Sequence, residues 1–214
     1  MKITTRSLCL IGAGSLALGA FASLSGTQAT LPGLGAQPVR ATAIAGDDFV
    51  VDAVHSSVVF RIKHMDISHV FGRFNDPEGS FNIDAENPEK TMIDVRVRTA
   101  NVDTANSSRD NHLRSPDFFN ANQFPNLTFK STSARAHTDG TIHVTGDLTY
   151  RGVTKSITLP VTKTGEGDTR QGYKQGFITE FTIKRSDFGD TWGIDNGALA
   201  DQVTLIVSLQ GKRG

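Results

Sequence analysis

The chain offers little chemistry that depends on thiols or on an excess of one charge. It has one cysteine, Cys9, in 214 residues, which excludes an intramolecular disulfide and a cysteine metal cluster. The 22 Lys and Arg balance the 22 Asp and Glu, and this zero net charge argues against a nucleic-acid partner. The Gly-x-Ser-x-Gly motif of α/β-hydrolases is also missing. The absence of these residues and of this motif counts against an enzymatic function.

The few aromatic residues are strongly biased towards phenylalanine. The chain has 13 Phe but only 2 Tyr and 1 Trp. A phenylalanine ring can be buried without a hydrogen-bond partner. This composition therefore suits an apolar cavity wall as well as a packed core.

The first residues are typical of a secretory signal peptide. Lys2 and Arg6 form a short positive region before an apolar run from Leu8 to about Gly19, and small residues follow. We expect residues 1–29 to be cleaved and the protein to be periplasmic or secreted. The apolar run is too short for a bilayer, so no stable membrane insertion is expected after cleavage. Residues 30–46, rich in Pro, Gly, Ala and Thr, are predicted to be a flexible linker, and residues 47–214 a single domain.

Eight stretches of the chain place apolar residues at every second position. This period predicts β-strands with one apolar and one polar face. Eight such strands can close into an antiparallel barrel that is just wide enough for one small or slender ligand. The stretches are Val58–Ile62, Phe81–Ile83, Ile93–Val97, Leu127–Phe129, Ile142–Tyr150, Ile157–Val161, Phe177–Ile183 and Val203–Leu209. The fold class predicted from this pattern is all-β.

One segment departs from the strand period. Ser107 is followed three residues later by Asp110, which resembles a capping box, and Pro116 ends the segment. A short helix is therefore predicted at about residues 108–114. Asp139-Gly140, between two alternating stretches, is the strongest hairpin turn in the chain.

Several polar residues could carry chemistry, and each has a structural alternative. His64, Asp66 and His69 could bind a metal, although such sites need three or four convergent ligands and a polar barrel rim explains them as well. Asp52 and His55 are placed to share a structural hydrogen bond.

The predicted helix is rich in charged residues. Arg109, His112 and Arg114 could receive a polar head group at a barrel mouth, or could simply be a solvated helix face. Phe118 and Phe119 could plug the barrel end or cover a bound ligand.

A set of short motifs occurs in order between Phe49 and Gln210. They are Asp52-x-x-His55-Ser56, Lys63-His64, Gly72-Arg73-Phe74, Arg109-Asp110-x-His112-Leu113, Phe118-Phe119, Phe129-Lys130-Ser131, Val144-x-Gly146-Asp147-Leu148-Thr149-x-Arg151-Gly152-Val153-Thr154 and Arg185-x-Asp187-Phe188-Gly189. Together they resemble the YceI-like family of bacterial secreted proteins. The resemblance implies a lipocalin-like antiparallel barrel that holds a long isoprenoid or similar amphiphilic lipid. It also implies a periplasmic or secreted location, no agreed enzymatic reaction, and a homodimer as one option.

The predicted ligand-binding wall consists of apolar residues that share the inward parity of their strands. They are Phe60, Ile62, Phe81, Ile83, Phe129, Leu148, Tyr150, Phe181 and Ile183. Arg109, His112 and Arg151 are the head-group candidates. Parity alone does not distinguish a lined cavity from a filled one, so ordinary core packing is the alternative for each wall residue.

The sequence thus predicts a secreted or periplasmic binding protein for a long apolar amphiphile of polyisoprenoid, quinone or polyprenyl phosphate type. Its role would be transport, storage or sequestration, with no catalytic residue, metal or cofactor. One alternative is an enzyme that acts on a lipid or small carbonyl compound with His55, His64 or His112 as the acid–base group. The other is a stress-response structural module with a solidly packed barrel.

Overall fold

The structure, a computed structural model, describes residues 48–214. The predicted signal peptide at 1–29, Cys9 and the predicted linker at 30–46 lie outside the described residues. Among residues 48–214, no helix has the length and apolar character needed to cross a membrane.

The described chain forms eleven β-segments and one α-helix. The β-segments are β1 (Phe49–Val51), β2 (Ser57–His64), β3 (Ser68–Phe74), β4 (Glu78–Asn82), β5 (Met92–Arg98), β6 (Val102–Asp103), β7 (Asn126–Ala136), β8 (Ile142–Tyr150), β9 (Val153–Thr169), β10 (Gly172–Lys184) and β11 (Leu199–Arg213). The helix α1 is Ser107–Arg114, and short 3-10 turns occupy Ala53–His55, Pro88–Lys90, Thr99–Asn101 and Arg185–Phe188.

The eleven segments make a closed antiparallel barrel of eight strands. The pairs β1 and β2, β3 and β4, and β5 and β6 are each one interrupted barrel strand, because consecutive segments pair with the same neighbours. The barrel closes where β11 pairs with β1, at Phe49 opposite Arg213, and with β2. The predicted eight-stranded all-β barrel is confirmed.

The strand pattern missed β3. Its even positions should be apolar, but one is Gly72, and the outward Phe71 is 54% exposed. The alternation is therefore blurred. Gly72 fills this position because the Phe60 ring of the neighbouring strand occupies the space that a side chain would need.

The helix prediction is confirmed to within one residue, but its cap is different. Asn106, rather than Ser107, is the N-cap, and its side-chain oxygen accepts a hydrogen bond from Arg109 N at 3.0 Å. Asp110 does not complete a capping box, because its Oδ1 accepts bonds from Thr104 N at 2.9 Å and Thr104 Oγ1 at 2.6 Å.

The two ends of the barrel differ. The mouth carries the β2–β3 turn, α1 with its following loop to residue 125, and residues 185–198. The floor, at the opposite end, is packed with aromatic rings. Phe81 lies 4.8 Å from Phe177 and 6.2 Å from Phe49, measured between ring centroids. Gln175 links the strands across the floor by two hydrogen bonds to the backbone of Ile83. Its Oε1 accepts from Ile83 N at 2.7 Å, and its Nε2 donates to Ile83 O at 3.2 Å.

The mouth half of the barrel wall is split in two places. From the floor towards the mouth, β9 and β10 pair only as far as Val161 opposite Thr179. The residue of β9 on the mouth side of Val161 is Pro160, which has no N–H to donate. β6 pairs with β3 but not with β7 in the described barrel. The floor half is therefore the more continuously hydrogen-bonded part of the wall.

We predict that Gly72→Ala destabilises the fold. A Cβ at this position would lie 2.3 Å from Phe60 Cζ and 2.7 Å from Thr104 Cγ2. Overpacking of this kind costs about 1–3 kcal/mol of unfolding free energy, measurable by urea denaturation. Gly165→Ala is the control, because a Cβ there meets nothing within 4 Å. Equal effects of the two substitutions would contradict the close approach of β2 and β3.

Candidate functional site

Three cavities follow one another from the mouth into the barrel. The cup, at the mouth, has a volume of about 340 Å³ and is lined in part by Met65 and Trp192. The upper chamber, of about 80 Å³, shares Phe60, Ile62, Leu113, Phe118 and Leu199 with the cup. The lower chamber, of about 50 Å³, shares Leu127 and Leu205 with the upper chamber. The shared residues make the three cavities one row.

Seven of the nine predicted wall residues line this row. Phe60 and Ile62 line the cup and the upper chamber, and Tyr150 and Ile183 line the upper chamber. The lower chamber is lined by the other three, Phe129, Leu148 and Phe181. Their position on the row is a matter of geometry, and their contact with a ligand stays a prediction.

Phe81 and Ile83, the other two predicted wall residues, line none of the three cavities. Both are completely buried, with 0% of their surface exposed. The physical reason is that β4 reaches the floor, where Phe81 packs on Phe177 and the backbone of Ile83 is tied to Gln175. They close the barrel and leave no cavity beside them.

Both chambers are small for a ligand. Apolar cavities of about 150 Å³ are known to admit benzene. The chambers, at about 80 and 50 Å³, are smaller than that. Only a slender group would fit these chambers, and Leu127 and Leu205 lie where the two chambers adjoin.

The paired phenylalanines after α1 divide their roles. Phe118 packs against His112 and Trp192, with all three ring centroids 5.0 Å apart, and lines both the cup and the upper chamber. Phe119 reaches further in, with its centroid 5.2 Å from Phe74 and 5.8 Å from Tyr150. The segment therefore covers the upper chamber with one ring and packs the barrel with the other.

Two of the three head-group candidates lie at the cup. Arg109 donates from Nε to Thr104 Oγ1 and from Nη2 to Thr104 O, both at 2.8 Å. His112 Nε2 is 2.9 Å from Asp117 Oδ2. Both residues line the cup beside apolar side chains, and His64 and Thr104 are polar residues of the same lining.

Arg151 is placed differently from the prediction. It lies in the turn between β8 and β9 and lines none of the three cavities. Its Nη1 donates to Pro116 O at 3.0 Å and to Phe118 O. Its Nη1 is engaged by these two carbonyl groups, so Arg151 fastens the loop that carries Phe118.

A buried polar cluster at the upper chamber was missed by the sequence reasoning. Tyr150 Oη donates to Asp190 Oδ2 at 2.6 Å, and Arg185 Nη1 donates to Asp190 Oδ1 at 2.8 Å. Burial, together with the negative charge of Asp190, raises the pKa of Tyr150 far above its ordinary value. Tyr150 is therefore a neutral donor, and the Arg185–Asp190 pair leaves the chamber without net charge.

A sequence signal for this cluster did exist. A buried tyrosine hydroxyl usually has a hydrogen-bond partner, and Tyr150 was assigned only an apolar role. Arg185 belongs to one of the family-like motifs, whereas Asp190 follows it in the loop. Their contact with Tyr150 joins residues 40 positions apart, and only the fold reveals it.

The histidines considered as metal ligands or catalytic groups are dispersed. His64 pairs with Ser68 and His69 with Lys63, so the two histidines point to opposite faces of the sheet, and only His64 lines the cup. With Asp66 they form no metal cluster among residues 48–214. His55 Nδ1 lies 2.8 Å from Asp52 Oδ2, the expected contact, and lines no part of the row.

We predict that Thr179→Val stabilises the protein. Thr179 lines the lower chamber, and its Oγ1 is buried with no hydrogen-bond partner among the described residues. Removing an unpaired buried hydroxyl should raise the unfolding free energy by about 1 kcal/mol in urea denaturation. The control is Thr182→Val on the same strand, whose hydroxyl is exposed and 3.1 Å from Thr204 Oγ1. A loss of stability in Thr179→Val would mean that the hydroxyl is satisfied.

The chain is similar to a known family over almost all of its described length. Residues 49–211 match the family model described as the YceI-like domain. A UPF0312 protein of Ectopseudomonas mendocina is 40% identical over 183 residues, which cover 84% of this chain and 94% of the relative.

Solved structures show the same barrel. The crystal structure of a YceI protein from Campylobacter jejuni is 33% identical, with a TM-score of 0.63, covering 72% of this chain and 90% of that chain. A polyisoprenoid binding domain from Saccharophagus degradans is 14% identical, with a TM-score of 0.60, covering 79% of this chain and 100% of that chain. At that identity the second likeness concerns the fold alone.

Proposed function

The chain belongs to the YceI-like family, and from this premise we propose that it is a binding protein that holds one long apolar chain in the row of cavities. This proposal rests on one observation, namely that the cup, the upper chamber and the lower chamber follow one another along the barrel. The ligand class that we propose is polyisoprenoid: a quinone tail, a polyprenyl phosphate or a comparable lipid. The protein would transport, store or sequester this lipid.

The shape of the row favours a flexible chain over a rigid ring system. The junction between the chambers is formed by Leu127 and Leu205, whose aliphatic side chains can rotate. The split between β9 and β10 lies on the mouth half of the barrel, where the wall can widen with few backbone hydrogen bonds to break. A fused ring system would instead have to displace whole strands.

The driving force is the removal of hydrocarbon from water. At about 0.8 kcal/mol for each buried methylene, one five-carbon unit contributes up to about 4 kcal/mol. The free energy gained by burying a few such units therefore exceeds the free-energy cost of association, which is about 4–15 kcal/mol. Transfer of the lipid from a membrane contributes less binding free energy than transfer from water. Selectivity therefore rests on the length of the row and on the groups at the cup.

The polar end of the ligand belongs at the cup in this proposal. Arg109 and His112 are cationic or hydrogen-bonding groups there, next to the Trp192 and Phe118 rings, and His64 and Thr104 line the same cavity. The chambers below are lined almost wholly by apolar side chains, and their Arg185–Asp190–Tyr150 cluster is already internally paired. A charged head group would lose its hydration in the chambers without gaining a partner.

A binding role accounts for the row better than the two alternatives. A solidly packed structural module would need no cavity that continues inward from the mouth, whereas the described barrel has a cup of about 340 Å³ in line with two chambers. The enzyme alternative has one supporting observation, the His112–Asp117 contact at the cup. Within residues 48–214, however, no side-chain hydroxyl is hydrogen-bonded to His112 as a nucleophile would be.

We predict that Leu205→Phe weakens binding of a long prenol more than that of a short one. The larger ring fills the junction between the chambers, and blocking the lower chamber should reduce the affinity for the long prenol at least about tenfold, or 1.4 kcal/mol. Binding is measured by competition with a fluorescent fatty-alcohol probe, and thermal denaturation verifies the fold.

Ile206→Phe is the matched control. Ile206 follows Leu205 in β11, so its side chain lies on the other face of the sheet. It pairs with Val59 of β2 and Glu180 of β10. Its substitution should leave the affinity for both prenols unchanged. If Leu205→Phe, while folded, binds the long prenol as the native chain does, the assignment of the row as the binding site is wrong.

Export is part of the proposal. Residues 1–29 carry the features of a signal peptide, and the chain expressed in a Gram-negative host should be found in the periplasmic fraction. Intact-mass measurement of that fraction is expected to show a chain shortened by the predicted leader. A full-length chain in the cytoplasm would contradict export.

A further inference from the structure

We propose that the β7–β8 turn is a binding site for one divalent transition-metal ion of the zinc type, formed by His137, Asp139 and His143. One ligand atom from each of these side chains lies within 4.8 Å of the others. The turn is at the floor end of the barrel, away from the cup, so this proposal is independent of lipid binding.

The hairpin itself brings the three residues together. His137 N donates to Thr141 O at 2.9 Å just beyond the last pair of the two strands. Arg135 is opposite His143, so His137, two residues further along, is on the same face and diagonal to His143. The two imidazole rings consequently stack, with centroids 3.8 Å apart and planes 7° from parallel.

Hydrogen bonds hold the third ligand in place. Asp139 Oδ1 accepts from Thr141 N at 2.9 Å and from Thr141 Oγ1 at 2.7 Å. Its carboxylate is also 3.0 Å from His137 Nδ1. The turn therefore presents an oriented carboxylate beside two imidazoles, with Gly140 (φ 84°) closing the chain reversal.

The ligand set selects the class of metal. Two imidazoles and one carboxylate are suited to Zn²⁺ and its neighbours, and three protein ligands leave a fourth position for water. Ca²⁺ would require six or more oxygen ligands. Because the rings are nearly parallel, one must turn about its Cβ–Cγ bond for both to face the same ion. The His137 side chain is 40% exposed, so its ring can turn without disturbing the barrel interior.

The sequence contained this site without revealing it. His137-x-Asp139-Gly140-x-x-His143 has no familiar metal-ligand spacing on a helix. Once Asp139-Gly140 is taken as a hairpin turn, the two histidines fall on one face of paired strands. The His64–His69 pair is closer in sequence, but the pairing of β2 with β3 places those two residues on opposite faces of the sheet.

Titration of the purified chain with ZnCl₂, after removal of any affinity tag and in a non-chelating buffer, tests the proposal. Isothermal calorimetry should show one equivalent bound. His143→Ala should weaken binding by more than about tenfold, because even the loss of an indirect partner of a metal ligand commonly costs that much. Without zinc, the unfolding temperature of His143→Ala should match that of the native chain, since His143 is the second residue of β8 and its side chain is only half-buried, between the inward Ile142 and Val144.

The matched control is His69→Ala, which removes an exposed strand histidine outside the cluster. It should bind zinc like the native chain. Absence of zinc binding in the native chain, undiminished binding in His143→Ala, or an equal loss in both variants would each overturn the proposal. Because prenol binding is measured at the other end of the barrel, failure here would leave the lipid proposal intact.

Discussion

The width of an eight-stranded barrel is the constraint on which the rest of this structure depends. Once eight strands close, the inward side chains from opposite walls nearly meet, and the space between them is narrow. Here the closure is made by β11, which pairs with both halves of the first barrel strand. Any occupant must then be a slender chain that lies along the axis, which is the shape of the observed row of cavities.

The charged residues near the mouth mainly hold its covering segment in place. Arg114 donates to Ala100 O at 2.8 Å and to Val102 O at 2.9 Å, next to the gap between β6 and β7. Arg151 fastens the loop around Phe118 from the other side. The barrel is therefore firmly closed at its floor and is assembled at its mouth from side-chain contacts. Such contacts can be exchanged more readily than a β-ladder when a ligand enters.

The sequence predicted the barrel because alternation is a local property that each strand carries by itself. It did not predict β3, where Gly72 replaces an apolar residue to make room for the Phe60 ring. Parity identified inward residues but not how deep they lie, so Phe81 and Ile83 were assigned to a wall and belong to the floor. The Tyr150–Asp190–Arg185 cluster and the loop contacts of Arg151 depend on long-range contacts, which no local pattern encodes.

We propose that the apolar face of the closed sheet surrounds a slender lipid chain. The most direct measurement is organic-solvent extraction of the protein purified from its native host, followed by mass spectrometry of the extract. We expect one long apolar chain for each protein molecule, with a polar group at one end only. A folded protein that yields no such chain, and that takes up none when it is offered, would contradict it.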